Sequence, residues 1–159
     1  MSKKNNNNQS HSGSTYGLED FDHSLPISLL RAREAVMRKF IPILRSHDLS
    51  PEQWRVIRVL KLDGSLELAE LSRRCFLLAA SLSRIAQNLE NREILVRTTV
   101  KDDQRRSLIS LTEKGNALFA EVAPKSSEQY AAIKHLFGTE NLESLYALLN
   151  KLVGSLEQR

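Results

Sequence analysis

Cysteine is almost absent from this chain of 159 residues: Cys75 stands alone, so an intramolecular disulfide and a cysteine-based zinc cluster are both excluded. No apolar run approaches the roughly 18 residues that a membrane helix needs, and Lys3 and Lys4 are followed by no hydrophobic segment of a signal peptide. The expectation is a cytoplasmic protein with no membrane partner. Glycine is sparse and forms no phosphate-cradling loop, and no Ser/His/Asp or paired-carboxylate spacing occurs. The histidines, His11, His23, His47 and His135, are scattered. These gaps argue against an enzyme, a metal site and a bound cofactor.

What remains is a basic centre. The chain has a net charge of +4. Residues 1–22 set two lysines against three acids, and residues 112–159 set five bases against six acids, so residues 23–111 carry the whole positive excess. A basic middle between nearly neutral flanks suits a polyanion partner, and equally an ordinary solvated surface.

The opening MSKKNNNNQSHSGSTYG is polar and low in complexity, which predicts a disordered tail over 1–22. From Ser24, apolar residues recur at helical spacing through Leu44, with Pro42 expected to kink or end the helix. The next boundary is sharp: Ser50 as N-cap, Pro51 at the first helical position, Glu52 at the dipole's positive end and Gln53 to close a capping box. LDGS at 62–65 reads as a turn. LELAELSRRC then predicts a short helix with Leu68, Leu71 and Cys75 inward, and AASLSRIAQNLENRE a further one seated by Leu82, Ile85, Ala86 and Leu89. ILVRTTV and Leu108–Leu111 read as two strands of a hairpin, Thr112 as the cap of a long helix with a bend at Pro124, and Thr139 as the cap of a leucine-rich last helix. Helices followed by a hairpin make a mainly α fold with a small β-hairpin, a winged helix-turn-helix at 49–111, with 23–48 plus 112–159 as a helical dimerisation region.

The second short helix carries a face suited to base edges. Arg84 can fork onto guanine, Gln87 and Asn88 can pair with adenine, and Ala80 can meet a thymine methyl, while Ser81 and Ser83 permit close approach or reach phosphates. The same residues also describe the wet face of any amphipathic helix. In the hairpin tip, Lys101 and Arg106 are candidate phosphate contacts and Arg105 a groove contact that Asp103 would aim. An exposed salt-bridged turn would have the same composition.

DQRRSLISLTEKG at 103–115 resembles the wing signature of the MarR family of bacterial transcription regulators: Asp, any residue, Arg, then a strand ending Leu-Thr-x-x-Gly. LAELSRRC and LSRIAQNLENREILVR are similar in spacing to that family's helix-turn-helix. The resemblance runs from about Ser24 to the C-terminus. It implies a winged-helix homodimer that reads a pseudo-palindrome in double-stranded DNA, with Asp103 and Arg105 as the wing pair. Residues 29–60 are similar to the branch that represses homoprotocatechuate (4-hydroxyphenylacetate) degradation, which implies an aromatic acid effector. An aromatic carboxylate needs a cation, hydroxyls and a flat apolar wall. Ser28, Arg31, Trp54 and Arg58 supply these, with His47 as a further donor.

Two departures stand out. Leu78, Ala79 and Ala80 replace the usual polar cap of the recognition helix, and Glu93 stands where a glycine is common, which requires either positive φ or a different helix end. Two alternatives stay open: a constitutive architectural or protein-interaction module on the same fold, and a redox switch at Cys75, whose neighbours Arg73 and Arg74 would favour a thiolate.

Overall fold

The computed structural model describes residues 24–157 apart from 101 and 102, and for 100 and 103–106 it describes the main chain alone. The predicted tail over 1–22 and Lys101 lie outside the described residues. The chain divides into two compact units, 1–35 and 36–159. In the first, the described part is Ser24 and the opening turns of α1 (Leu25–Arg45). The second holds the rest of α1, then α2 (Pro51–Asp63), β1 (Leu66–Glu67), α3 (Leu68–Cys75), α4 (Ala79–Asn91), β2 (Leu95–Val100), β3 (Asp103–Leu111), α5 (Glu113–Phe137) and α6 (Thr139–Glu157).

Local chemistry sets most of these boundaries. The Ser50 side chain accepts from the Gln53 N–H at 3.1 Å while the Ser50 N–H donates to Gln53 Oε1 at 2.8 Å, so both halves of the predicted capping box are made. Thr112 caps α5 by accepting from the Gly115 N–H at 3.0 Å. Pro42 does not end α1; the helix runs on to Arg45, and the break comes at Asp48, which sits at φ 52°. Pro124 likewise lies inside α5.

Three antiparallel strands form one sheet in the order β1-β3-β2. Two features here differ from the sequence expectation. Leu66 and Glu67, read above as part of a helical run, form β1 and pair with Ile109 and Leu108. A strand of two residues has no periodicity of its own, and it exists only because β3 offers an edge. β3 also begins at Asp103, well before Leu108. The ladder is regular from Leu95↔Leu111 to Thr99↔Ser107 and then jumps to Val100↔Asp103, so 104–106 stand between paired positions at an irregularity near the tip.

The core of the second unit lies where α2, α3, α4, the sheet and α5 meet. Leu82, Ala86 and Leu89 bring one face of α4 fully inside against Val56 and Ile57 of α2, Leu71 of α3 and Ile109 of β3. Each such leucine contributes about 2 kcal/mol through burial. By contrast α6 buries none of its side chains, and Leu145, Leu148 and Leu156 are exposed along it.

Candidate nucleic-acid interface and effector pocket

The connection between α3 and α4 is a tight three-residue turn. Phe76 takes the left-handed conformation (φ 51°, ψ 47°), the Leu77 N–H donates to the Ser72 carbonyl at 3.1 Å, and the Ser72 hydroxyl donates to the Leu77 carbonyl at 2.5 Å. Arg55 of α2 reaches across to the Cys75 carbonyl at 2.8 Å and so ties off the end of α3. α4 starts without a side-chain cap, as the Leu78-Ala79-Ala80 run implied. At its other end Glu93 accepts φ 60°, the first of the two options that its side chain left open.

With Leu82, Ala86 and Leu89 inward, the opposite face of α4 is exposed. Ala80, Ser81, Ser83, Arg84, Gln87 and Asn88 all lie on it, so the structure brings together the six residues chosen from sequence. Charge is selectively free there. Arg74 is held by Asp63 at 2.7 Å, Arg73 by Glu70, and Arg97 by Glu90 at 3.0 Å, whereas Arg84 makes no ion pair among the described residues. The amides are engaged: Gln87 Nε2 donates to Asn91 Oδ1 at 3.0 Å, and Gln53 Nε2 donates to Asn88 Oδ1 at 2.8 Å. Of the wing residues, Asp103, Arg105 and Arg106 have their main chain on β3, and the predicted Asp103–Arg105 pair falls among side chains outside the description.

A second feature lies between α2 and α5. The rings of Trp54 and Phe119 stack with centroids 5.4 Å apart and an interplanar angle of 23°. Arg58 donates to the Tyr130 hydroxyl at 3.0 Å. Together with Leu62, Ala123, Ser126 and Ser127, these four residues line a pocket of about 180 Å³. An apolar cavity of about 150 Å³ accepts a benzene ring, so one substituted ring is the right size of occupant. The Ser126 hydroxyl is buried and has no hydrogen-bond partner among the described residues, which marks a polar group in want of one.

Residues 47–106 match the MarR family. Over 129 residues the chain is 37% identical to the HTH-type transcriptional regulator FarR of Neisseria gonorrhoeae, covering 81% of this chain and 88% of that one. It is 36% identical over 130 residues to the homoprotocatechuate degradative operon repressor of Escherichia coli, covering 82% and 88%. The chain belongs to the MarR family. Among solved structures, that of NadR in complex with 4-hydroxyphenylacetate superposes with a TM-score of 0.72 at 36% identity, over 85% of this chain and 96% of that one. The MarR-family relatives matched are transcription regulators, and no described helix here is long and apolar enough to cross a membrane.

Within this MarR-family fold, the predicted effector residues fall in different settings. Trp54 and Arg58 meet in the pocket. His47 stands apart from it, with Nδ1 at 2.8 Å from the Ile43 carbonyl and Nε2 at 3.3 Å from Lys125 Nζ, so its ring is spent on the joint between α1 and α5. Ser28 and Arg31 are exposed on the first turns of α1, in the other compact unit. Phe119, Ser126 and Tyr130 were not foreseen. Their spacing of seven and four does place them on one helical face of α5, but spacing alone does not say that this face meets α2.

Cys75 is fully buried, and desolvation raises its thiol pKa above the ordinary value, overriding the lowering influence of Arg55 and Arg74. A buried, protonated thiol is a poor redox sensor. Labelling by a thiol reagent at neutral pH is expected to run at least about a thousandfold slower in the folded protein than in denaturant, since it waits on opening of the core. Rapid labelling of the folded protein would restore the redox alternative.

Proposed function

We propose that this MarR-family chain is a cytoplasmic homodimeric repressor of an aromatic-compound catabolic operon, released from its operator by a phenolic or aryl-acetic acid. In this reading residues 49–111 read DNA, and 23–48 with 112–159 pair the two copies. The two α4 helices enter successive major grooves of a pseudo-palindrome about 34 Å apart, while the wings reach the flanking minor grooves. The unburied α6, with Leu145, Leu148 and Leu156, and the exposed Leu25, Leu29 and Leu30 of α1 supply the apolar surface that a dimer needs.

The observation that carries the reading is the double duty of α2. Its Trp54 and Arg58 line the pocket, while the same helix packs against α3, α4 and α5. The Arg58 guanidinium suits a carboxylate, the Trp54–Phe119 pair an aromatic ring, and the Tyr130 and Ser126 hydroxyls a phenol. An occupant that moves α2 relative to α5 moves the reading helix with it. The 4-hydroxyphenylacetate named in the NadR structure has this combination of groups.

In fluorescence anisotropy, the protein is expected to bind its own upstream intergenic DNA tightly. Affinity should fall about a thousandfold between roughly 50 and 200 mM salt if about six phosphates are contacted. 4-Hydroxyphenylacetate at a hundred times its Kd should stabilise the protein by about 2.7 kcal/mol and dissociate the complex. Binding with no preference over random duplex would refute the regulator reading. Specific binding that no aromatic acid reverses would favour the constitutive architectural module.

A further inference from the structure

Asn88 was expected to read adenine through both ends of its amide. The hydrogen bonds around Gln53 restrict that. The Ser50 main-chain N–H is a donor and nothing else, so the end of the Gln53 amide facing it at 2.8 Å must be the oxygen. The other end of the same amide is therefore the NH2 group, and it points at Asn88 with a separation of 2.8 Å. A donor needs an acceptor, so Asn88 must turn its Oδ1 toward α2 and its Nδ2 away. One main-chain N–H thus sets the orientation of two side-chain amides in series, which removes the usual ambiguity between amide oxygen and nitrogen. Gln53 is half-buried in the first turn of α2, where the Ser50 side chain also holds its main chain at 3.1 Å. Asn88 is exposed on the α4 face beside Arg84, and its Nδ2 has no partner among the described residues.

We infer that Gln53 is a positioning residue for sequence recognition: it locks Asn88 as a hydrogen-bond donor toward DNA, so that the base opposite Asn88 must present an acceptor. In the major groove guanine O6 and N7, thymine O4 and adenine N7 are acceptors, whereas cytosine presents only its N4 donor. Asn88 so held discriminates against cytosine at its position in each half-site and cannot make the paired N6/N7 contact that a free asparagine makes with adenine. The inference rests on α4 being the base-reading helix.

Gln53→Glu tests it with little disturbance of the fold. The introduced carboxylate still accepts from the Ser50 N–H, so the capping box survives, but it has no proton to give Asn88. Asn88 then turns its NH2 inward to the carboxylate and its oxygen outward. Operators selected from a random duplex pool by the wild type should exclude cytosine at one symmetric pair of positions that lose this discrimination in Asn88→Ala. Gln53→Glu should admit cytosine at those positions at the expense of guanine and thymine, and leave the rest of the operator unchanged. The wild-type site should lose affinity roughly tenfold, within the range that one base contact carries.

Two comparisons separate positioning from mere stability. Ser50→Ala, which removes the other half of the cap, should lower the melting temperature without altering base preference. Gln53→Glu placed in the Asn88→Ala background should change no preference. An unaltered selection by Gln53→Glu, from a wild type that selects a defined operator, would overturn the inference and leave DNA reading by α4 intact. A wild type that enriches no sequence would overturn the underlying reading, and the inference with it.

Discussion

Gly115→Ala is expected to destabilise the protein by about 2–3 kcal/mol, against the gain of about 1 kcal/mol that alanine ordinarily brings to a helix interior. Gly115 lies in the first turn of α5, and a Cβ there would fall far inside the 3.0 Å that such atoms keep from the Ile94 carbonyl oxygen, with Leu111 Cδ2 also tight at 3.1 Å. The Ile94 oxygen is main chain and cannot swing aside. It is also occupied, accepting the Thr112 N–H at 3.1 Å, while the Thr112 hydroxyl donates to the Glu93 carbonyl at 2.6 Å. An added methyl therefore levers α5 away from the root of the hairpin. The loss should appear as a fall of roughly 5–10 °C in melting temperature. DNA affinity should weaken as well, because the wing and α4 share that root. A variant that melts at or above the wild-type temperature would mean that the approach of α5 to Ile94 is not required. This contact also explains the last position of the Leu-Thr-x-x-Gly signature: threonine caps the helix, and glycine lets the capped turn lie against the Ile94 carbonyl just before β2.

Arg58→Ala is expected to weaken binding of an aryl-acetic acid about a hundredfold, close to 2.7 kcal/mol, while DNA affinity without effector stays within about twofold. Arg58 is the cation lining the pocket, and hydrogen bonds to a charged group contribute about 1.5–3 kcal/mol. Its present partner is the Tyr130 hydroxyl, a neutral group that a carboxylate readily displaces. Arg58 is exposed, so truncating it leaves the core unchanged. Arg58→Lys should recover part of the affinity, since it restores charge but not the planar fork. Calorimetric titration with 4-hydroxyphenylacetate provides the number, and anisotropy with operator DNA the control. Unchanged release of DNA by the acid in Arg58→Ala would remove this pocket from the mechanism.

The two features on which the proposed function rests were legible to different depths. The exposed face of α4 was accessible because a single period of 3.6 residues sorts Leu82, Ala86 and Leu89 from Ser81, Ser83, Arg84, Gln87 and Asn88. The pocket was half accessible. Trp54 and Arg58 lie on one helix at a spacing of four, and that spacing places them on one face. Their partners Phe119, Ser126 and Tyr130 come from a helix more than sixty residues further on, and no local pattern pairs the two. His47 illustrates the converse: its residue type suited a polar ligand, but packing gives it the Ile43 carbonyl and Lys125 instead.

By itself the sequence determined most of the helical runs, the Ser50 and Thr112 caps and the exposed face of α4, because capping bonds and helical periodicity act within about four residues along the chain, whereas Thr139, expected as a cap, is the first residue of α6. It also determined the family, since the wing signature and helix-turn-helix spacing are linear patterns. Only the tertiary structure decided that Leu66 and Glu67 form a strand, that Gly115 must lack a side chain, that Phe119 and Tyr130 complete a pocket with α2, and that the Gln53 amide donates to Asn88. Each of these depends on an atom brought close by packing from a distant part of the chain, and the residue type alone does not say which atom that will be.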